Sequence, residues 1–194
     1  MPESHLYHYP TEETKIFADL IGVKTDLEHV INCTRLVIDD QPSLNRAIMD
    51  SALIAYRRCF ASGMRTKLTD TDVLGAGQGA DEFHDYIINQ ASKHIAHSVN
   101  LSEWVKAGLF INAESHEVFG VGYLSVRVHE LSKVEIAQLE RLANYLANEV
   151  VEKQLSSLEK IILSEAQSKS PQDLIANGRV QHVAPDLSKA KRSR

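Results

Sequence analysis

Cysteine is nearly missing from this sequence. Only Cys33 and Cys59 occur in 194 residues, without a CxxC spacing. Neither a disulfide framework nor a cysteine-rich metal knuckle is built from two such residues, and both read as small buried hydrophobes in a reducing compartment. Proline and glycine are scarce (5 and 9), and aromatic residues make up 6% of the chain. That scarcity argues against a sandwich or barrel and for helices. No apolar run approaches the ~18 residues of a membrane span, and the N-terminus is too polar for a secretory signal, so the cytoplasm is the default location. An excess of positive charge is also absent: the net charge of −5 excludes a generally basic nucleic-acid coat but leaves room for a local basic patch.

What is present is helical periodicity. Residues 1–10 are aperiodic and form a loose lead-in. Thr11-Glu12-Glu13-Thr14 supplies a helix start. Ile16, Leu20, Val23, Leu27, Val30, Ile31 and Thr34 then recur at steps of three and four, which predicts a helix to about residue 38. Asp39-Asp40-Gln41-Pro42 stops it. A second helix carries Leu44, Ile48, Ala52, Ala55 and Cys59 on one face, small enough for close approach of a neighbour. Gly63 is its expected cap. Residues 66–80 hold three glycines and read as a flexible loop; no buried strand precedes them, so they make no dinucleotide fingerprint. A third helix begins near Asp81, with Phe83, Ile87, Ile88, Ala91 and Ile95 on its apolar face.

After Trp104 the period changes to two. Leu124, Val126 and Val128 alternate with Ser125 and Arg127, and the polar break Asn112–His116 predicts one β-hairpin over about 104–128. Gly120 and Gly122 mark a bulge or a close contact. From Ser132, paired with Glu135 as a capping box, Leu139, Leu142, Leu146, Val150, Leu155, Leu158 and Ile162 restore the helical period. A helix to about residue 166 would be ~50 Å long, enough for its far half either to span its own bundle or to pack on another subunit. We therefore expect a mainly α protein: an up-and-down bundle of four to five helices over residues 11–167 with one inserted hairpin. A polar, disordered tail with a basic tip occupies 168–194.

Candidate chemistry concentrates in Gln90–Asn100. Lys93 and His97 are i,i+4 neighbours, His94 and His97 are i,i+3 neighbours, and Asn100 lies one turn on. Such a cluster at a helix end either faces an anion or is solvated. Arg57, Arg58, Arg65 and Lys67 crowd the end of the second helix, where they serve the helix dipole or a phosphate. His84, His94 and His97, ten and three residues apart, do not make a metal cage, and we expect no metal and no cofactor.

The string Lys93-His94-Ile95-Ala96-His97-Ser98-Val99-Asn100 resembles the RDKHIAHSVN type of segment in bacterial HEPN-like proteins. Tyr56–Arg65 is similar to that group's second-helix segment, and the order of elements is similar over roughly 12–165. The resemblance implies a helical bundle, often dimeric, whose active members are metal-independent ribonucleases of toxin–antitoxin and abortive-infection systems. It implies His97 as the proton-transfer group; Lys93, Arg58 or Arg65 then supplies the phosphate-binding cation, His94 is either the acid or bonded to a backbone carbonyl, and Asn100 belongs to the same phosphate-binding surface. The position where the family carries its arginine reads Ala91, so weak or absent cleavage is expected. The expected partners are a second copy, RNA or a nucleotide, with a catalytically silent protein working through protein contacts as the alternative.

Overall fold

The computed structural model describes residues 5–38, 41–63, 65–92, 103–127 and 131–180. It is mainly helical, with a single two-stranded antiparallel sheet among the described residues. Helix α1 (Glu12–Arg35) is the centre. It touches α2 (Pro42–Phe60) on one side and α5 (Lys133–Tyr145) and α6 (Glu152–Gln167) on the other. Its stripe Leu20, Val23, Leu27, Val30 and Ile31 is buried, as the spacing predicts. Each such side chain contributes about 1.5–3 kcal/mol on leaving water. From α2 the small residues Ala52, Ala55 and Cys59 are buried together with Tyr56; from the last helices, Leu139, Leu142, Leu146, Val151 and Leu155 complete the core. Both cysteines are free and buried.

The two helix ends differ from expectation for identifiable reasons. Helix α1 stops at Arg35, not 38, because Asn45 claims both backbone groups of Ile38: the Ile38 N–H donates to Asn45 Oδ1 at 2.8 Å and Asn45 Nδ2 donates to the Ile38 carbonyl at 2.6 Å. Helix α2 ends at Phe60 with Ala61 in an extended conformation, so Gly63 is not its cap. Its last carbonyls are satisfied from farther along the chain. The N–H of Leu68, itself buried, donates to the Cys59 carbonyl at 2.8 Å, and the Arg65 guanidinium donates to the Arg58 carbonyl at 3.1 Å.

Residues 66–80 are not a structureless loop. Thr69 and Asp72 form a capping box for the short helix α3 (Asp70–Val73), followed by a 3₁₀ turn over Leu74–Ala76. Gly75 lies so close to Tyr145 that an added Cβ would stand 2.0 Å from the phenolic oxygen, and Gly79, at φ 75°, caps α4 (Ala80–Gln90). Helix α4 buries Phe83, His84 and Ile87 and packs on α2.

Strand β1 (Glu103–Ile111) pairs with β2 (Val118–Arg127), with a bulge between Phe110 and Ile111. Gly122 is the close contact: the Phe110 ring occupies the space a Cβ there would need, 2.4 Å away. The hairpin turn is held by Asn112 Oδ1, which accepts from the Glu114 and Ser115 N–H groups at 2.8 and 3.0 Å.

Ser132 and Glu135 form the expected capping box of α5. The helical run then passes through a π-helical segment, Leu146–Val151, before α6, so one extra residue interrupts the regular register. Beyond Gln167 the expected tail contains helix α7 (Pro171–Ala176), capped by Ser170 with Pro171 at its first position. Its exit is paired with the N-terminal stretch: His8 N–H donates to the Gly178 carbonyl and Val180 N–H to the Leu6 carbonyl, each at 2.9 Å. The lead-in is therefore not loose over residues 6–8, and the basic tip 189–194 lies outside the described residues. Among the described residues no helix is long and apolar enough to cross a membrane.

Candidate functional site

One polar constellation joins α1 to the end of α2. Asp26 lies on the buried stripe of α1, three residues after Val23 and four before Val30, with its side chain 11% exposed. A carboxylate in that position needs a cation. Arg65 supplies it, Nη2 to Oδ2 at 2.9 Å, and Arg58 Nη2 stands 3.5 Å from the other oxygen. The Arg65 side chain crosses α1 over Gly22, where a Cβ would stand 3.1 Å from Nη1. The next residue is pinned as well, Thr66 N–H donating to Asp19 Oδ2 at 2.8 Å. Asp19, Gly22 and Asp26, spaced by three and four, thus form one side of α1 that receives the chain after α2.

The two arginines differ in what they have left to offer. Arg65 is 28% exposed and committed to Asp26 and to the Arg58 carbonyl, so it is a structural cation. Arg58 is 61% exposed and only loosely paired. Beside it Arg57 donates from Nε to Ser92 Oγ at 2.8 Å, which ties the end of α2 to the residue that precedes Lys93. Asp26 is thus the acid that Arg58 and Arg65 share. Sequence reasoning missed Asp26 and Asp19; the legible signal was an acid in an otherwise apolar stripe.

Lys93, His94, His97 and Asn100 lie outside the described residues. Ala91, the position where the resemblance places an arginine, is 1% exposed and part of the core. An arginine would not fit there without displacing its neighbours.

Nearby nucleophiles are unsuited to chemistry. Burial pushes the Cys59 thiol up to about 12, with Asp26 adding to the effect and the two arginines opposing it. Burial also raises the Tyr56 phenol well above its usual range. Tyr56 instead completes a buried pair with His84, its hydroxyl 2.9 Å from Nδ1. Nε2 of the same ring faces Asp70 Oδ1 at 3.5 Å, and the Phe60 ring lies 4.3 Å from it between centroids. The carboxylate can only accept, so Nε2 carries the proton and Nδ1 accepts from Tyr56. Burial lowers the His84 pKa, while Asp70 and Asp85 act to raise it. The ring is a neutral structural bridge between α2, α3 and α4. Among the described residues no group of three His, Cys, Asp or Glu side chains is placed to hold a metal.

A separate cavity of about 830 Å³ opens where the N-terminal stretch crosses α1 and α6, lined chiefly by Leu6, Tyr9, Phe17, Ile162, Leu163 and Val180. It shares no lining residue with the arginine cluster. No family model, curated protein or solved structure matches this chain.

Proposed function

We propose that this chain is a HEPN-like protein, an up-and-down bundle of four to five helices carrying the hairpin, that binds RNA or a nucleotide through its phosphates with weak or no cleavage. The setting implied by the resemblance is a defence or toxin–antitoxin system. The observation that carries the reading is the gathering of Arg57, Arg58 and Arg65 at one end of α2, where Arg58 and Arg65 share Asp26 and Arg57 reaches Ser92. Three guanidinium groups against the carboxylates of Asp26 and Asp19 leave a local excess of positive charge on a chain whose net charge is −5. Arg58 keeps donors open to solvent, and a guanidinium fork suits a phosphate. The Arg57–Ser92 hydrogen bond supports placing this patch beside the start of the Lys93–Asn100 segment, the sequence-level source of His97 as base and of Lys93, His94 and Asn100 as its companions.

Weak cleavage follows from position 91. RNA hydrolysis without a metal needs a base near neutrality and a cation at the phosphorane, and the arginine expected at 91 is a buried alanine. Fluorescence anisotropy with a labelled short single-stranded RNA, and competition with ATP, tests the proposal. Binding should weaken steadily with salt. Arg58→Ala should weaken it by about 1–3 kcal/mol, the value of a charge-assisted hydrogen bond. Absence of binding at low salt, or binding indifferent to both Arg57→Ala and Arg58→Ala, would overturn it. A second reading, a catalytically silent protein acting through protein contacts, is favoured by one specific observation: the apolar side chains of the hairpin are exposed.

A further inference from the structure

Where the N-terminal stretch crosses α1 and α6, the polar groups are already spent. His8 N–H donates to the Gly178 carbonyl and Val180 N–H to the Leu6 carbonyl, each at 2.9 Å. The Thr11 and Thr14 hydroxyls cap α1: Thr11 Oγ1 accepts from the Thr14 N–H at 3.2 Å, and Thr14 Oγ1 from the Thr11 N–H at 3.0 Å. The Tyr9 hydroxyl is buried. The apolar groups are not spent. Leu6 is 73%, Leu163 50% and Val180 42% exposed, although the fold gathers all three around the one cavity of about 830 Å³.

The charged groups of the lining lie at its solvent edge. His8, Glu12, Lys15 and Glu159 are all exposed, and Lys15 stands 3.5 Å from Glu12. Beyond the lining, Lys169 stands 3.3 Å from Glu165 and 5.2 Å from the Tyr9 ring centroid, and Arg179 lies 5.9 Å from the Tyr7 ring centroid. No charged side chain of the lining is buried, so a ligand charge drawn inside would leave water without a partner.

We propose that this cavity binds an uncharged lipophilic molecule, whose aliphatic or aromatic body lies among Phe17 of α1, Ile162 and Leu163 of α6, and Leu6 and Val180. The volume falls within the ~300–1,000 Å³ of small-molecule sites. Apolar walls whose polar atoms are already hydrogen-bonded reward the transfer of a ligand's body from water and offer little to a polar head. The frame is built before any ligand arrives, because backbone pairing of residues 6–8 with 178–180 fixes Leu6 and Val180 beside the cavity.

The arginine cluster contributes nothing to this lining, so the proposal stands apart from phosphate binding and its test uses neither RNA nor nucleotide. The full chain should take up the neutral fluorescent probe N-phenyl-1-naphthylamine saturably, one per chain. Decanol should displace it, and competition by straight-chain alcohols should strengthen by up to about fourfold for each methylene from octanol to decanol. Decanoate and decylamine, both charged at neutral pH, should compete at least about tenfold more weakly than decanol. Leu163→Glu puts a carboxylate on the wall and Ala18→Trp fills the space; each should lower probe affinity at least about tenfold. Both positions are exposed, so circular dichroism should show unchanged helix content. Tyr123→Glu, on the exposed hairpin, should leave uptake unchanged. Absence of saturable uptake by the natural chain would overturn the proposal. So would uptake that Tyr123→Glu abolishes and Leu163→Glu spares, or decanoate or decylamine competing as well as decanol.

Discussion

Removing the carboxylate of Asp26 separates the two arginines that share it. In Asp26→Ala the Arg65 guanidinium loses its 2.9 Å partner and keeps only the Arg58 carbonyl. Breaking a fully buried ion pair costs about 3–5 kcal/mol. Arg65 is 28% exposed, so water recovers part of that cost, and we expect about 2 kcal/mol for the Asp26–Arg65 pair. Arg58 stands 3.5 Å away and is 61% exposed, a surface pair worth at most ~0.5 kcal/mol. Double-mutant cycles from urea denaturation should therefore give a large coupling for Asp26 with Arg65 and almost none for Asp26 with Arg58. The same variants should divide in the opposite way in the RNA-binding assay. Arg58→Ala should cost binding with little loss of stability, and Arg65→Ala should cost stability first. Equal couplings for both arginines, or a larger one for Arg58, would refute the assignment of Arg65 as structural and Arg58 as available.

Ala91→Arg, which restores the residue the resemblance leads one to expect, should destabilise the protein by about 3 kcal/mol or more without creating a ribonuclease, because position 91 is in the core; a stable variant with RNA cleavage in a gel assay would contradict this. His84 is held neutral by burial, so its contribution to stability is complete above the ordinary imidazole pKa of 6.5 and is lost as pH falls below it. Thermal melts should accordingly show Tm dropping between neutral pH and about pH 5, with a shallower drop in His84→Gln. Gly75→Ala should cost about 1–3 kcal/mol in the same urea titrations, since its Cβ would meet the Tyr145 hydroxyl, and Tyr145→Phe should return part of that loss.

The sequence by itself determined the features whose causes are local. The stripe from Leu20 to Ile31, the Ser132–Glu135 capping box and the period-two strands all follow from neighbours a few residues apart. So did the burial of Cys33 and Cys59. Tertiary structure decided whatever depends on a partner far along the chain. Helix α2 ends where it does because Leu68 and Arg65 return to its carbonyls, and no local stop signal records that. Residues 170–180 are held by α7 and by pairing with residues 6–8, a long-range contact that no periodicity announces. The same holds for the site. Spacing showed a basic cluster at Arg57, Arg58 and Arg65, but which cation is already spent was fixed only when folding carried Asp26 beneath two of them. Position 91 shows the same division: the resemblance leads one to expect an arginine there, whereas packing makes it a core alanine at the end of helix α4.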